Sequence, residues 1–239
     1  MTLLAIDASQ IEWRVALQLS GDSVGIQEVM DGADAHLLNQ VAFNLPSRLV
    51  SKRYLFRTIF RGSGWSFAND NDFKHVSANP KYWDVVNIKF YKKYYGLDEQ
   101  HKKWADLVVN GKKIYGPLGR SWDIKIARDV RGELKIPWTT LSNFPVQGTG
   151  ADLMMLARLS IAKRIKDVEC RLISTVHDNI IIDTPTKNLQ QLTDIAYQVF
   201  DDIPLNIKKI FNYEWIVPLT CEAKFGPNMK DTQKLARSA

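Results

Sequence analysis

The sequence predicts an α+β fold in which a mostly helical insertion interrupts an antiparallel β-sheet. Three observations support this prediction. An apolar strand pattern opens the chain at residues 3–6, two further strand patterns flank the segment His177-Asp178, and residues from about 30 to 140 show mainly helical periodicity. With 239 residues, the chain is long enough to form one sizeable domain or two small ones.

The elements follow from apolar periodicity and from residues that favour turns and helix ends. In chain order they are a strand at 3–6, helices at 11–19, 47–61, 83–95 and 98–109, a hairpin at 112–126, a helical segment at 139–166, strands at 171–176 and 180–184, a helix at 189–201 and a strand at 219–225. The strand at 3–6 leads directly to Asp7, and few residues precede it, so the sheet is expected to lack neighbours on that side.

Single residues set the expected ends of these elements. Ser47 and Asn188 are expected N-caps, because their side chains can accept a hydrogen bond from a backbone N–H of the first turn. Gly62 and Gly96 are expected to end the helices that precede them. Gly116-Pro117-Leu118-Gly119 is the expected hairpin turn. Pro145 and Gly148 should bend or break their helix, and the polar tail after Asn228 should be loosely held.

Composition excludes several classes of protein. No stretch approaches the roughly 20 apolar residues that span a bilayer, and the N-terminus shows no signal-peptide pattern, so no membrane partner is expected. Cys170 and Cys221 are too few for a disulfide framework and match no zinc spacing, which indicates a reducing, cytoplasmic compartment. The net charge of +6 favours a polyanionic partner such as nucleic acid.

Two aspartates follow strand patterns, Asp7 after the first strand and Asp178 after the strand at 171–176. Two such carboxylates brought side by side repel each other and are stabilised by a divalent cation, for which Mg²⁺ suits hard oxygen ligands. A pair of metal ions about 4 Å apart activates an attacking hydroxyl and steadies the leaving oxygen in phosphoryl transfer. The alternative is that each aspartate only caps a turn.

Four segments resemble motifs of family A DNA polymerases, the polymerase I type. They are IDASQIEWRVALQLS at 6–20, SNFPVQGTGADLM at 142–154, VHDN at 176–179 and KFGPNM at 224–229. They occur in the family's order and cover nearly the whole chain. The resemblance implies a palm sheet built from residues 1–30 and 141–239 and a fingers insertion at 31–140. As a departure from the family, no thumb or exonuclease domain is expected in this sequence.

The helix at 47–61 provides a separate physical argument. Arg48, Lys52, Phe56 and Phe60 recur every four residues, and each step of about 40° keeps them on one face over about 18 Å. That face would hold a nucleotide lengthwise, with its triphosphate on the two cations and its base against the two rings. The helix N-terminus adds positive potential at the phosphate end. The alternative is an ordinary amphipathic helix with solvated basic residues.

The resemblance also implies roles for individual residues. Asp7 and Asp178 would carry two Mg²⁺ ions, with the carbonyl of Ala8 as a further ligand. Glu12 would be the steric gate that excludes a 2′-hydroxyl, and His36 would touch the nucleotide phosphates together with the two cations of the helix. The alternatives are a solvated glutamate and a structural histidine.

Three further residues would contact DNA by the same resemblance. Asn143 and Gln147 would hydrogen-bond the primer–template near its minor groove, and His177 would lie near the primer terminus. The alternative for Asn143 and Gln147 is a buried hydrogen-bond network at a helix break. The alternative for His177 is an imidazole that caps the turn.

The sequence departs from the family pattern at three positions. Asn179 replaces a glutamate, which removes a negative charge beside the proposed metals, yet activity is expected to survive. Phe60 stands where the family has tyrosine, so no phenol can hydrogen-bond Glu12 and weaker exclusion of ribonucleotides is expected. Arg61 replaces a glycine, so the helix is expected to end differently.

The thumb, an early palm strand and usually an exonuclease domain precede the first motif in the family. Their lack here suggests a split polymerase, in which this chain extends primer–template DNA with dNTPs and a second chain supplies the thumb and remaining palm, with or without an exonuclease. A bacterial or phage-infected cell is the expected setting. The alternatives are a non-catalytic DNA-binding or assembly subunit and a single-subunit RNA polymerase, the latter disfavoured by Glu12 and the Gln-Gly-Thr stretch.

Overall fold

The computed structural model describes residues 1–238 of the chain. The helices are α1 (Ile11–Ser20), α2 (Ser23–Met30), α3 (Ala35–Ala42), α4 (Arg48–Thr58), α5 (Gly64–Ala68), α6 (Pro80–Lys93), α7 (Tyr95–Val109), α8 (Trp138–Arg164) and α9 (Leu189–Phe211). The strands are β1 (Thr2–Ala8), β2 (Ile114–Tyr115), β3 (Ser121–Trp122), β4 (Ala127–Arg128), β5 (Leu134–Lys135), β6 (Arg171–Val176), β7 (Asn179–Thr184), β8 (Cys221–Gly226) and β9 (Gln233–Leu235). The α+β prediction is confirmed.

The chain divides into two compact units. The sheet unit consists of Met1–Ile11 and the residues from Gly148 onward, and the helical unit consists of Glu12–Gln147. The boundaries expected from the sequence were at about 30 and 140, and the assignment of those pieces to palm and fingers stays a prediction.

The sheet unit is built on an antiparallel sheet whose strand order is β6-β7-β1-β8-β9 within the described residues. β1 is central, and its Leu4 and Ile6 side chains are fully buried. α9 packs against β1 and β8. Its apolar residues recur at helical spacing and form one buried face, which includes Leu192, Val199 and Ile203.

Several expectations for this unit are wrong. β1 does not lack neighbours, because β7 and β8 pair with it on its two sides and the sheet edges are β6 and β9. The tail after Asn228 is not loose along its whole length, because β9 pairs with β8. α9 continues through Pro204 to Phe211, since its long buried face outweighs the local preference of proline. Asn188 occupies the N-cap position of α9, as predicted, but its side chain makes no capping hydrogen bond and instead donates from Nδ2 to the Glu169 carbonyl at 3.0 Å.

The helical unit has an aromatic core contributed by several of its helices. The rings of Tyr54, Phe67 and Trp83 pack with centroids 5.1–6.0 Å apart, and each of these residues is fully buried. Burial raises the pKa of the Tyr54 phenol far above its usual range, and its hydroxyl donates to Asn87 Oδ1 at 3.1 Å. Aromatic packing of this kind fixes α4 against α6.

Gly96 does not end a helix as expected. α6 ends at Lys93, and α7 begins at Tyr95 with Gly96 in its first turn. The Gly96 N–H donates to Asp22 Oδ2 at 2.8 Å, while Asp22 Oδ1 accepts from the Gly25 N–H at 2.8 Å. The fully buried Asp22 carboxylate therefore joins the starts of α2 and α7, and its burial raises its pKa.

The hairpin expected at 112–126 is confirmed by the pairing of β2 with β3. The β4–β5 pair was not predicted. The helix expected to bend or break at Pro145 and Gly148 is assigned as one continuous α8. Leu141 and Val146 are buried on either side of Pro145, so tertiary packing outweighs the local cost of proline. No helix among residues 1–238 has the length and apolar character needed to cross a membrane.

Candidate active site

Asp7 and Asp178 converge at the centre of the sheet unit. Asp7 is the penultimate residue of β1, not a residue beyond the strand as expected, and it lies opposite Asn179 of β7. The Ala8 N–H donates to the Asp178 carbonyl at 2.9 Å, which joins the backbones beside the two aspartates. β1 and the β6–β7 hairpin thus bring together the backbones of two aspartates that are far apart in sequence.

A two-residue turn holds Asp178. Val176 pairs with Asn179, which leaves His177 and Asp178 as the turn between β6 and β7. His177 has a φ of 54°, the left-handed conformation that a tight hairpin requires at its first turn position and that histidine adopts more readily than most residues. Asp178 therefore lies in the turn, outside the paired residues of the ladder, and the expectation that its carboxylate faces Asp7 stays a prediction.

The donor set around Asp7 fits a hard divalent cation. It comprises the carboxylates of Asp7 and Asp178, the carbonyl of Ala8 and Asn179 Oδ1, a buried oxygen with no hydrogen-bond partner in the described residues. No group of three or more His, Cys, Asp or Glu side chains in residues 1–238 is arranged to hold a metal. Two carboxylates completed by water and substrate phosphates are the usual Mg²⁺ arrangement.

Two neighbours of Asp7 were not identified from the sequence. Glu222 lies opposite Asp7 on β8, so the two side chains share a face of the sheet, and Lys234 Nζ pairs with its carboxylate at 3.2 Å. Only the strand register reveals this proximity. Cys221 lies opposite Ala8, and burial raises the pKa of its thiol to about 12, so it remains protonated at neutral pH.

In the helical unit, α4 presents a basic and aromatic face. Ser47 is the N-cap, as predicted, and its Oγ accepts from the Val50 N–H at 3.2 Å. Lys52 is exposed and Phe56 half-buried, whereas Val50 and Tyr54 occupy the buried face. Arg48, Lys52 and Phe56 lie within α4. They share one face of the helix, as their spacing of four residues predicted.

Phe60 lies outside α4, so the expectation of four residues on one helical face is wrong for this residue. The helix ends at Thr58, and the Gly62 N–H bonds to the Arg57 carbonyl at 3.0 Å to close the end. Arg61 has a φ of 59° and takes the left-handed position that glycine usually occupies in such a motif. The arginine therefore adopts the conformation that glycine favours, and the expectation that this end differs from that of the family stays a prediction.

Asp34, His36 and Arg48 are linked at the start of α3 and α4. Asp34 Oδ1 accepts from the His36 N–H at 2.9 Å, and Asp34 Oδ2 accepts from Arg48 Nε at 2.8 Å. His36 is 2% exposed and its Nδ1 has no partner in the described residues. Burial lowers the pKa of His36, and the charges of Arg48 and Lys52 lower it further, against the opposing effect of Asp34. Contact of His36 with phosphates stays a prediction.

Glu12 and Gln147 are joined by a hydrogen bond, which the sequence analysis did not anticipate. Gln147 Nε2 donates to Glu12 Oε1 at 3.3 Å. Asn143 lies one turn earlier on α8, is half-buried and shares a face with the exposed Gln147. A buried network at a helix break is excluded, because α8 is continuous here and Gln147 is exposed.

The predicted site residues therefore form separate groups. The sheet unit holds Asp7, Ala8, His177 and Asp178, and the helical unit holds Glu12, His36, Arg48, Lys52, Phe56, Phe60, Asn143 and Gln147. Each group is built by backbone geometry that is local to its own unit.

The chain is similar to bacterial DNA polymerases. DNA polymerase I of Deinococcus radiodurans is 25% identical over 248 residues, which cover 97% of this chain and 24% of the relative. The thermostable DNA polymerase I of Thermus filiformis is 24% identical and covers 90% of this chain and 27% of its own length. This chain therefore spans about a quarter of the length of these curated relatives.

A solved structure has a similar fold. It is the POL domain of Pol1 from M. smegmatis in complex with DNA primer-template and dNTP. The match has a TM-score of 0.79 and 19% sequence identity, and it covers 95% of this chain and 40% of the other. The family model described as DNA polymerase family A matches residues 1–231. The chain belongs to DNA polymerase family A.

Proposed function

We propose that this chain catalyses template-directed DNA synthesis, in which a primer 3′-hydroxyl attacks the α-phosphate of a dNTP and pyrophosphate leaves. The observation that carries the proposal is the convergence of Asp7 and Asp178 through β1 and the β6–β7 turn. Family membership supports it, because the relatives are named DNA polymerase I and the structural neighbour binds primer-template and dNTP.

Two Mg²⁺ ions are the proposed cofactors. Asp7 and Asp178 would hold them with the carbonyl of Ala8, and the unpartnered Asn179 Oδ1 is available as an outer ligand. When bound, the metal ions would acidify the primer hydroxyl and neutralise charge that develops on the phosphate oxygens. The contribution of the chain is to fix two carboxylates on a buried central strand and a tight turn, so that little reorganisation accompanies reaction.

The proposed nucleotide site lies on α4. Arg48 Nε is held by Asp34, which orients the guanidinium and leaves its other nitrogens available to a triphosphate. Lys52, one turn further on, would add a second cation, and the Phe56 ring would stack on the base. Phe60 lies past the end of the helix, so its proposed contact would be with the far end of the nucleotide.

Sugar and DNA recognition are proposed for the remaining residues. Glu12 would exclude a ribose 2′-hydroxyl by occupying its space. Asn143 and Gln147 would bond minor-groove acceptors that every base pair offers, which suits contact without sequence preference. His177, fixed by the turn beside Asp178, would lie near the primer terminus.

Primer extension with carboxylate variants tests the proposal. We expect Asp7→Asn and Asp178→Asn each to lower kcat at least about 1,000-fold, because each removes charge from the proposed metal site while keeping its shape. Asp183→Asn is the matched control, since it removes a carboxylate from β7 elsewhere, and it should change kcat less than about threefold. Full activity of either aspartate variant would contradict the proposal.

A non-catalytic DNA-binding or assembly subunit is the second candidate, and Asn179 favours it because one carboxylate fewer lies beside Asp7. A wild-type chain that binds primer–template but fails to extend it with Mg²⁺ and dNTPs would establish this alternative.

We also propose that the working enzyme contains a second polypeptide that supplies a thumb and further palm, as in a split polymerase. Exposed apolar side chains on the sheet unit support it. On α8, Met155 and Leu159 are each 48% exposed, and on the edge strand β6, Ile173 and Val176 are 54% and 51% exposed. Exposed apolar residues in such numbers favour a covered surface in the assembled enzyme.

A further inference from the structure

A basic groove on the helical unit lies between one face of α7 and the chain that enters β2. It has a volume of about 670 Å³. It is lined on the α7 side by Gln100, Lys103, Trp104 and Leu107, and on the other side by residues 112–115. The residues from α7 recur at positions i, i+3, i+4 and i+7, so they form a single helical face.

Packing and hydrogen bonds hold the two sides of the groove. Trp104 and Ile114, which line it, belong to a buried apolar cluster. The end of α7 fixes the second wall, because Gly111 has a φ of 69° and the Lys112 N–H donates to the Leu107 carbonyl at 2.9 Å. The backbone that carries Lys112 and Lys113 is therefore held in place before any ligand binds.

The groove carries an excess of positive charge. Lys103, Lys112 and Lys113 are exposed, and no ion pair or hydrogen bond of their side-chain ammonium groups is found among residues 1–238. The carboxylates nearby are Asp106, in the adjoining recess with Lys103 and Lys112, and Asp123, which pairs with Lys125 at 2.9 Å and whose pKa is lowered by Lys125 and, to a smaller extent, by the charge of Lys113. Unpartnered lysines around a cleft are the electrostatic signature of a polyanion site.

An exposed aromatic ring stands beside these cations. Tyr115 is 73% exposed, although its strand neighbour Ile114 is buried. We propose that the groove binds single-stranded nucleic acid, with backbone phosphates on the three lysines and an unstacked base on the Tyr115 ring. A duplex presents no free base face to a ring, and an acidic peptide has no base to stack, so both fit less well.

This proposal rests on the proposed function in one respect, because the strand in the groove would be the unpaired part of the template. Binding of an oligonucleotide to the groove is measured without catalysis. The recognition is independent of sequence, since every base has a face that can stack and every nucleotide has a phosphate.

Fluorescence anisotropy with labelled oligo(dT), titrated at several salt concentrations, tests the lysines. The variant Lys103→Ala/Lys112→Ala/Lys113→Ala should bind at least about tenfold more weakly, and the slope of log affinity against log salt should fall by about 2, since each phosphate contact contributes about 0.7. Lys74→Ala/Lys81→Ala/Lys89→Ala, which changes net charge equally at exposed sites outside the groove, should retain the wild-type slope. Equal slopes for the two triple variants would overturn the proposal.

Tyr115 variants separate stacking from charge. Tyr115→Phe should bind oligo(dT) as the wild type does, and Tyr115→Ala should bind about tenfold more weakly, because stacking on an aromatic ring contributes in that range. An abasic oligonucleotide should not distinguish the two variants. If polyglutamate of equal charge competes as well as oligo(dT), the groove is a general polyanion or acidic-protein site and the proposal fails.

The two proposals fail in different ways. If the wild-type chain extends primers while the groove triple variant binds oligo(dT) normally, the groove assignment alone is wrong. If no extension occurs but the lysine and tyrosine effects on binding are present, the groove assignment stands and the proposed activity is wrong.

Discussion

Arg61 shows how one residue can occupy a backbone position that its type disfavours. A left-handed conformation costs a residue with a Cβ about 1 kcal/mol or more. Contacts of the Arg61 side chain offset this cost, with Asp98 Oδ1 at 2.5 Å, His101 Nδ1 at 2.9 Å and the Tyr91 ring at 4.2 Å. Burial lowers the pKa of His101 to about 3, so it accepts from the arginine as a neutral ring. The sequence shows that an arginine replaces the family's glycine. It does not show the three partners of this arginine, because they belong to other helices.

The Glu12–Gln147 hydrogen bond changes the expectation for sugar selection. Without a phenol at position 60, Glu12 was expected to be loosely held, yet Gln147 Nε2 lies 3.3 Å from its carboxylate. We expect Gln147→Ala to lower the dNTP-over-rNTP ratio of kcat/KM about fivefold, because a hydrogen bond to a charged group contributes on the order of 1 kcal/mol or more. Steady-state incorporation at saturating primer–template measures this ratio.

A double-mutant cycle isolates that effect from DNA binding. In a Glu12→Ala background, Gln147→Ala should cause no further loss of discrimination, since the residue acts through the glutamate. Additive losses in the double variant would show that Gln147 acts elsewhere. Phe60→Tyr, which adds a hydroxyl, should raise the ratio, and an unchanged ratio would refute the idea that the missing phenol matters.

At the scale of elements, local signals were reliable where no distant contact opposed them. The cap at Ser47 and the turn between β2 and β3 were predicted, because each depends on a few neighbouring residues. Gly96 was misread as a helix stop, since its partner Asp22 is distant in sequence. Pro145 was expected to interrupt α8, and burial of the residues around it reverses that preference.

Two helical glycines should respond oppositely to the same substitution. A Cβ on Gly96 would lie 2.8 Å from Asp22 Cα, whereas one on Gly150 would meet only Ile11 Cγ1 at 3.8 Å. Gly96→Ala should therefore lower the free energy of unfolding by about 1–3 kcal/mol through overpacking. Gly150→Ala should raise it by about 0.5–1 kcal/mol through helix propensity.

Urea denaturation followed by circular dichroism measures both changes. The pair serves as its own control, since each variant adds one methyl group to a helix. Equal stability of Gly96→Ala and the wild type would mean that the Asp22 contact can relax and that the junction of α2 with α7 is not tightly packed.

For the molecule as a whole, the sequence identified the two aspartates and the basic helix but not their surroundings. Asp7 and Asp178 could be found because each follows a strand pattern, and their convergence required the pairing of β1 with β7. Glu222 escaped notice because its proximity depends on strand register. The groove beside Tyr115 was missed because it forms only where a face of α7 meets the loop that enters β2.

The exposed apolar face of α8 leads to a prediction about assembly. Ala151, Met155, Leu159 and Ala162 are all exposed and recur every three or four residues, so they form one apolar stripe. We expect the chain, tagged in its native cells, to co-purify with a second polypeptide in equal amount. Met155→Glu/Leu159→Glu should abolish this association, since burying unpaired charge at an interface is costly. The pair Leu205→Glu/Ile210→Glu, also exposed and apolar but on α9, should leave it intact.

Product length reports the functional consequence of that assembly. The isolated chain should add few nucleotides per encounter under single-encounter primer extension, and the co-purified complex should make longer products, because a second chain would enclose more of the DNA and slow its dissociation. A chain that is processive as a monomer would contradict the split arrangement. So would a native polypeptide much heavier than 27.3 kDa, in which the α8 stripe would be covered from within the same chain.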